Sequence, residues 1–488
     1  MASGRVRTGW PLIPALTLAV LGGWLLSRHH GLWYDELYTA EVSPIPLGEL
    51  ARALVHGEGT IPYLRDAPPS YGAPYYAAAH LWMGLTGLAA DEWGLRLLSL
   101  TAAVAAMAVF SVAVGRLAGP RVGLVAGLVA ATNPFVVEYS AEARGYALAL
   151  LATAVAALGL ARWLDGRRPS LLIYGLGGAA AGLAHWFALL PVAAFALAGV
   201  VLRGRRALPL LAVTALAALP ALGLVATAVA NGVGRSGAEW IPRAGLSVPW
   251  HALRSWSGTA GVLLVVTVVA AGAGLLASRR PGDRTRLVAA SWVGIPLAGV
   301  TVVGFVLPVF VDRYLLPSLL GLAALVALGL CRVPGRWGVT AVAAAVTLSA
   351  SVTLADAGRG PKEDVRGAVA AVARQHLPGE PVVAAARWDA LGVDHYVRRH
   401  HRALLDDLVL PPAPAPSVPS LWVVRRARGG VKGDGAKRTA LDLELRSRGM
   451  DLDVQERFRG RYGGVLVQRW RAQVPAVQTA GFLARPAT

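Results

Sequence analysis

Long apolar runs broken by short arginine-bearing connections dominate the first 355 residues, and shorter apolar segments alternating with charged ones fill the rest. A helix needs roughly 17–25 predominantly apolar residues to cross the hydrocarbon core. Runs that approach this length occur at 9–27, 95–115, 121–138, 145–162, 170–184, 187–202, 207–230, 258–278, 286–309, 314–331 and 337–354, which predicts eleven transmembrane helices. A twelfth run, "YGAPYYAAAHLWMGLTGLA" at 71–89, is long enough but carries three tyrosines, a proline and His80.

Arginine placement decides the status of that run, because short loops rich in Lys and Arg stay on the cytoplasmic side. If 71–89 does not cross, 16 of the 25 basic residues before position 355 face the cytoplasm and 12 of the 14 acidic ones face outward. If it crosses, every later basic loop is inverted. The first arrangement predicts a cytoplasmic N-terminus, an outer loop at 28–94, and 71–89 lying along or dipping into the outer interface. It also makes 170–202 two short spans turning at "AHWF", where His185 caps the outer turn.

Beyond 355 the hydropathy falls. "PKEDVRGAVAAVARQHL" (361–377) reads as a helix from its early proline and acids and late cations. "PVVAAAR", "LWVVRR", 451–458 and 463–469 read as strands, and the proline-rich 411–420 connects the first two. The expected domains are a transmembrane region at 1–354, an extracytoplasmic α/β domain at 355–475 and a tail at 476–488. Composition agrees, since 55% of the 488 residues are hydrophobic and 15% charged, which excludes a soluble globular class. The formal charge of +19 is carried in good part by the expected cytoplasmic arginines; membrane lipids are an expected partner and nucleic acid is not. The single cysteine, Cys331, supports neither a disulfide nor a thiolate metal site.

With the topology set, Asp35, Glu36, Asp66, His80, Glu138, Glu142, Arg144, Tyr146, His185, Glu239, Arg243, Asp312, Arg313 and Tyr314 collect on the outer face from at least five loops. Carboxylates are costly so near hydrocarbon. Glu138 and Glu142 therefore sit at the interface or in a water-filled cavity, over which the loop at 231–257 with its three tryptophans is suited to lie as a lid.

Five segments, in this order and spacing, resemble the GT-C glycosyltransferases, in particular the protein O-mannosyltransferase and aminoarabinose-transferase branch. They are "WYDELYT" (33–39), "APPSYGAPYYAAAHLW" (67–82), "LRLLSL" (95–100), "NPFVVEYSAEARGYAL" (133–148) and "VDRYLLPSL" (311–319). The resemblance spans about residues 9–350. It implies a polytopic all-α membrane bundle and transfer of a hexose, mannose favoured, from a polyprenyl-phosphate carrier to a hydroxyl of a protein, glycan or lipid acceptor. Asp35 matches the family's acid after the first span and is the expected general base, with Glu36 beside it orienting a neighbour or the acceptor. Arg144 and Arg313 are expected at the donor phosphate, where a guanidinium pairs well, with Tyr146, Tyr314, Glu142 and His80 around the donor. The resemblance makes no cofactor certain; a divalent metal held by Asp35, Asp66 and Glu142 is an option the family leaves open, although no fixed ligand spacing is present. Where many relatives carry a basic residue before "PP", this chain has Ala67. The alternative reading is a transporter or lipid flippase, disfavoured by the lack of an internal repeat and of ionisable residues in mid-span.

Overall fold

The computed structural model describes residues 9–28, 30–70, 72–232, 241, 243, 245–276, 283–427 and 434–473. The chain divides into two compact units, Met1–Pro361 and Lys362–Thr488. Unit one is helical throughout: α1 (Leu12–Ser27), α2 (Tyr34–Val42), α3 (Leu47–His56), α4 (Ala73–Thr86), α5 (Glu92–Ala118), α6 (Pro120–Ala131), α7 (Pro134–Ser140), α8 (Tyr146–Leu164), α9 (Ser170–Ala184), α10 (Leu189–Arg203), α11 (Leu208–Ala230), α12 (Val248–Trp256), α13 (Gly261–Leu276), α14 (Arg284–Gly304), α15 (Leu316–Leu330) and α16 (Gly335–Ala357).

Every predicted apolar run carries a helix, but among the described residues six stretches are long and apolar enough to cross alone, or eight if two bent pairs count. The expected eleven differ for physical reasons. α1 and α9 are apolar but short, and α10 and α11 form one continuous stretch, Trp186–Ala230. That stretch breaks at Gly204, whose φ of 54° is open to glycine, beside Arg203, Arg205 and Arg206. α4, from the ambiguous run, is not among the crossing candidates.

The bent pair α6/α7 turns through 68°. Pro134 has no N–H to continue the ladder, so Asn133 caps the new helix, its Oδ1 accepting from Phe135 N (3.0 Å) and Val136 N (3.1 Å). The orphaned carbonyl of Thr132 accepts from the Ser349 and Thr353 hydroxyls of α16 at 2.9 and 2.7 Å. Lipid offers helices little hydrophobic reason to associate, and small residues let backbones close in instead. A Cβ on Gly274 of α13 would lie 2.1 Å from Leu325 O of α15, and one on Gly329 would lie 2.0 Å from Ala270 O. The core centres on Phe110, Phe195 and Trp292, with the indole N–H of Trp292 donating to Pro317 O at 2.8 Å.

Unit two comprises α17 (Val365–Gln375), β1 (Val382–Ala384), α18 (Arg387–His400), β2 (Leu408–Val409), β3 (Ser420–Arg426), α19 (Asp434–Ser447), β4 (Met450–Arg459) and β5 (Gly464–Ala472). The sheet order is β2-β1-β3-β5-β4, with the first three strands parallel and the hairpin antiparallel. The helix and four strands expected from the sequence are present; the strand expected at "PVVAAAR" lasts three residues before α18 begins. Burial would raise the pKa of Glu380, but hydrogen bonds from Arg469, Ser420, the Trp422 indole and Leu377 N overcome that and hold it at about 2.

A carboxylate with a depressed pKa contributes stability fully present above its unfolded value, near 4.5, and lost as the pH falls towards 2. Calorimetry of the full chain in detergent will show Glu380→Gln losing about 3 kcal/mol at neutral pH. The variant's unfolding will also depend less on pH between 5 and 3 than the wild type's.

Candidate active site

The acidic helix α2 is fixed by its second acid. Glu36, 1% exposed, takes Arg96 Nε on Oε1 (2.8 Å) and Arg96 Nη2 on Oε2 (2.5 Å). Oε1 also accepts from Ala143 N at 2.9 Å and Oε2 from Trp33 N at 3.3 Å. Arg96, in the first turns of α5, donates in addition to His30 O (2.6 Å) and Gly31 O (3.0 Å). One buried ion pair thus binds the chain leaving α1, the start of α2, the start of α5 and the turn between α7 and α8. Asp35, next in sequence to Glu36, and Arg144, next to Ala143, flank the residues so held.

Residues adjacent on a helix point about 100° apart, and Asp35 accordingly turns away from that buried pair, with 21% of its side chain exposed. Arg313, on the 3-10 turn Asp312–Leu315 before α15, places Nη2 3.6 Å from Asp35 Oδ2 and donates Nε to the Tyr146 hydroxyl at 3.0 Å. Its guanidinium lies over the rings of Trp33 (5.7 Å) and Tyr314 (5.8 Å). Arg144 is buried, with Nη1 3.0 Å from Tyr76 Oη and 3.5 Å from the Asp35 carbonyl oxygen. Four of the expected residues, Asp35, Arg144, Tyr146 and Arg313, therefore meet in one place. Tyr314 joins them through an aromatic group with His185 (4.8 Å) and Phe187 (5.3 Å), and His185 reaches Tyr146 at 5.4 Å. Burial, reinforced by the Arg144 and Arg313 charges, lowers His185 to about 3, so its imidazole is neutral.

Other expected residues stand apart or serve the backbone. His80 pairs Nδ1 with Ser43 O at 3.1 Å, tying α4 to the end of α2. Asp312 accepts from Arg313 N at 2.8 Å. Asp66 and Arg243 are exposed, Glu138 is half-buried, and Glu239 lies outside the described residues; Glu142, by contrast, is buried near enough to Tyr146 to act on it electrostatically. Asp35, Asp66 and Glu142 do not converge: among the described residues no three His, Cys, Asp or Glu side chains are grouped to hold a metal ion. Within the expected lid, α12 buries Trp256, whose carbonyl accepts from Asn133 Nδ2 at 2.8 Å, and exposes Trp250; Trp240 lies outside the described residues. The carbonyl of Ala67 accepts from the Tyr38 hydroxyl at 2.6 Å, fastening the double-proline loop to α2.

Sequence reasoning missed Arg96, Tyr76, Tyr38 and Trp33. A lone arginine at the head of a long apolar helix was the available signal for Arg96, since charge there needs a partner; the tyrosines gave none, because interfacial tyrosine is common.

No protein-family model and no curated protein sequence matches the chain. Solved structures do. ArnT from Cupriavidus metallidurans in the apo state superimposes with a TM-score of 0.58 at 14% identity, covering 94% of this chain and 98% of that one. The same protein bound to undecaprenyl phosphate gives 0.57 at 14% identity, over 95% and 98%. The oligosaccharyltransferase AglB from Archaeoglobus fulgidus, in complex with an inhibitory peptide and a dolichol-phosphate, gives 0.52 at 12% identity, over 84% of this chain and 65% of that one. The fold expected from the motif resemblance is thus matched by these structures.

Removing one partner of a buried ion pair costs about 3–5 kcal/mol, because the other charge is left uncompensated. Glu36→Gln will lower the thermal midpoint of the detergent-solubilised protein accordingly, and Glu36→Gln combined with Arg96→Met will recover part of the loss.

Proposed function

We propose that this protein is an integral-membrane, inverting glycosyltransferase that moves a hexose, mannose favoured, from a polyprenyl-phosphate carrier to an acceptor hydroxyl at the outer face of the plasma membrane. The observation that carries the reading is the meeting of a partly exposed carboxylate, Asp35, with two guanidiniums and a phenol at one end of a GT-C bundle. The arginine count of the loops supports an outer location for that end, a cytoplasmic N-terminus and an extracytoplasmic C-terminal unit.

In the proposed reaction the acceptor oxygen attacks the anomeric carbon from the face opposite the phosphate while its proton passes to Asp35. The anomeric C–O bond breaks, and its electron pair leaves with the polyprenyl phosphate. Such general-base assistance contributes typically 10²–10⁴-fold. Arg313 and Arg144 meet the phosphate's developing charge, and Tyr146 and Tyr76, each hydrogen-bonded to one of them, hold the guanidiniums in place. Glu36 acts through position: by gripping Ala143 N and Arg96 it sets the separation between Asp35 and Arg144. The aromatic group around His185 offers a surface on which a sugar ring can stack. One structural neighbour binds undecaprenyl phosphate and another is in complex with a dolichol-phosphate, which supports a lipid-phosphate donor. No step is assigned to a metal, because among the described residues the acids do not form a ligand set.

In proteoliposomes supplied with polyprenyl-phosphate mannose, Asp35→Asn will lower transfer by about 10²–10⁴-fold while leaving the thermal midpoint and donor binding nearly unchanged; wild-type turnover in this variant defeats the mechanism. Arg313→Lys keeps the charge but loses the planar fork, and will weaken binding of short-chain polyprenyl phosphate about tenfold, an effect of the hydrogen-bond size given for charged groups. Equal affinity in the two proteins would remove Arg313 from the phosphate.

A further inference from the structure

One edge of the C-terminal unit concentrates cations that the proposed reaction does not use. α18 runs out through Arg398, Arg399 and His400 into His401 and Arg402, and all but His401 are exposed. α17 packs against α18. Its exposed Arg366 and Arg374 act on His401 which, with burial first and His400 also contributing, has a lowered pKa. The acids at this edge are few. Asp394 is paired with Arg398. Asp407 takes His376 Nε2 at 3.1 Å and Gly379 N at 3.2 Å. Asp406 is exposed.

Among the described residues Arg374 and Arg399 have no carboxylate partner, and Arg402 donates only to the Arg398 carbonyl. Cations in a last turn complement the helix dipole, which accounts for Arg398 and Arg399. It does not account for apolar side chains among them. Leu377 is 56% exposed and Leu405 39% exposed, on two loops that Asp407 holds together.

We propose that Arg374, Arg399 and Arg402, together with Leu377 and Leu405 on the adjoining loops, form a docking surface for the anionic headgroups of the membrane. Guanidiniums meet lipid phosphates, and the two leucines enter the boundary between headgroups and acyl chains, the combination by which surface segments hold to an anionic bilayer. The chain itself favours this occupant. Unit two starts at Lys362, four residues (358–361) after the end of α16, which is long and apolar enough to cross a membrane. Four extended residues reach about 14 Å, so the unit begins within headgroup distance. The proposal does not rest on glycosyl transfer, and transfer activity is not its readout.

The test uses the full chain in nanodiscs. On a Cys331→Ser background, which removes the only native thiol, Leu405→Cys carries an environment-sensitive fluorophore. Emission will shift to the blue, and resist an aqueous quencher, in discs containing phosphatidylglycerol but not in discs of phosphatidylcholine alone. High salt will reverse the shift. Arg399→Gln and Arg402→Gln will each reduce the docked-to-free ratio about fivefold, whereas Arg457→Gln, on the exposed strand β4, will leave it unchanged. Equal emission in both lipids, or indifference to Arg399→Gln and Arg402→Gln, overturns the proposal. A shift produced in neutral discs by inorganic phosphate alone also overturns it, in favour of a soluble-phosphate site. If the label disturbs folding, hydrogen exchange across 398–405 in the unlabelled protein decides, with slower exchange in anionic discs expected and equal exchange fatal.

Discussion

A buried carboxylate with no freedom to move is the constraint on which the rest of the site depends. Glu36 spends its two oxygens on one guanidinium and two backbone amides, and Arg96 completes the knot on carbonyls of the preceding loop. In such surroundings a charge is tolerated only with its partner in place. The knot therefore forms whole, and with it comes the placement of its two sequence neighbours. Asp35 faces outward because Glu36 faces inward, and Arg144 stands beside Asp35 because Ala143 is held.

Around this frame the electrostatics are uneven in a useful way. Two arginines and one partly exposed aspartate share a space walled by Trp33, Tyr76, Tyr146 and Tyr314, and the histidine in that wall stays uncharged. The two guanidiniums thus stand among neutral rings and hydroxyls, with the carboxylates of Asp35, Glu142 and Asp312 close by. Fixed donors of this kind stabilise a charge that develops on an incoming group without having to reorganise first.

Much of the fold was legible because hydrophobic run length is a physical requirement of the bilayer. Every predicted run carries a helix, and 71–89, left out of the expected spans on arginine placement, carries the 14-residue α4. The number of crossings was less legible: Pro134 splits one run, the freed Thr132 carbonyl is taken up by Ser349 and Thr353 on a distant helix that no local pattern contains, and α1 and α9 are shorter than a full crossing. In the site, Asp35, Arg144, Tyr146 and Arg313 were named from motifs and the structure brings them together. The grouping of Asp66 and Glu142 with Asp35 was not readable, because a carboxylate's direction depends on turns whose geometry the sequence leaves open. In unit two the strands were visible as apolar runs, whereas α18 and α19 mix charge too evenly to announce themselves.

The glycine seam between α13 and α15 bears on where a long isoprenoid tail can lie. The two backbones are drawn together at Gly274 and Gly329 until no methyl group fits, so hydrocarbon cannot thread between the helices at those two contacts. On the proposed reading, the carrier's tail is left to lie against another flank of the bundle.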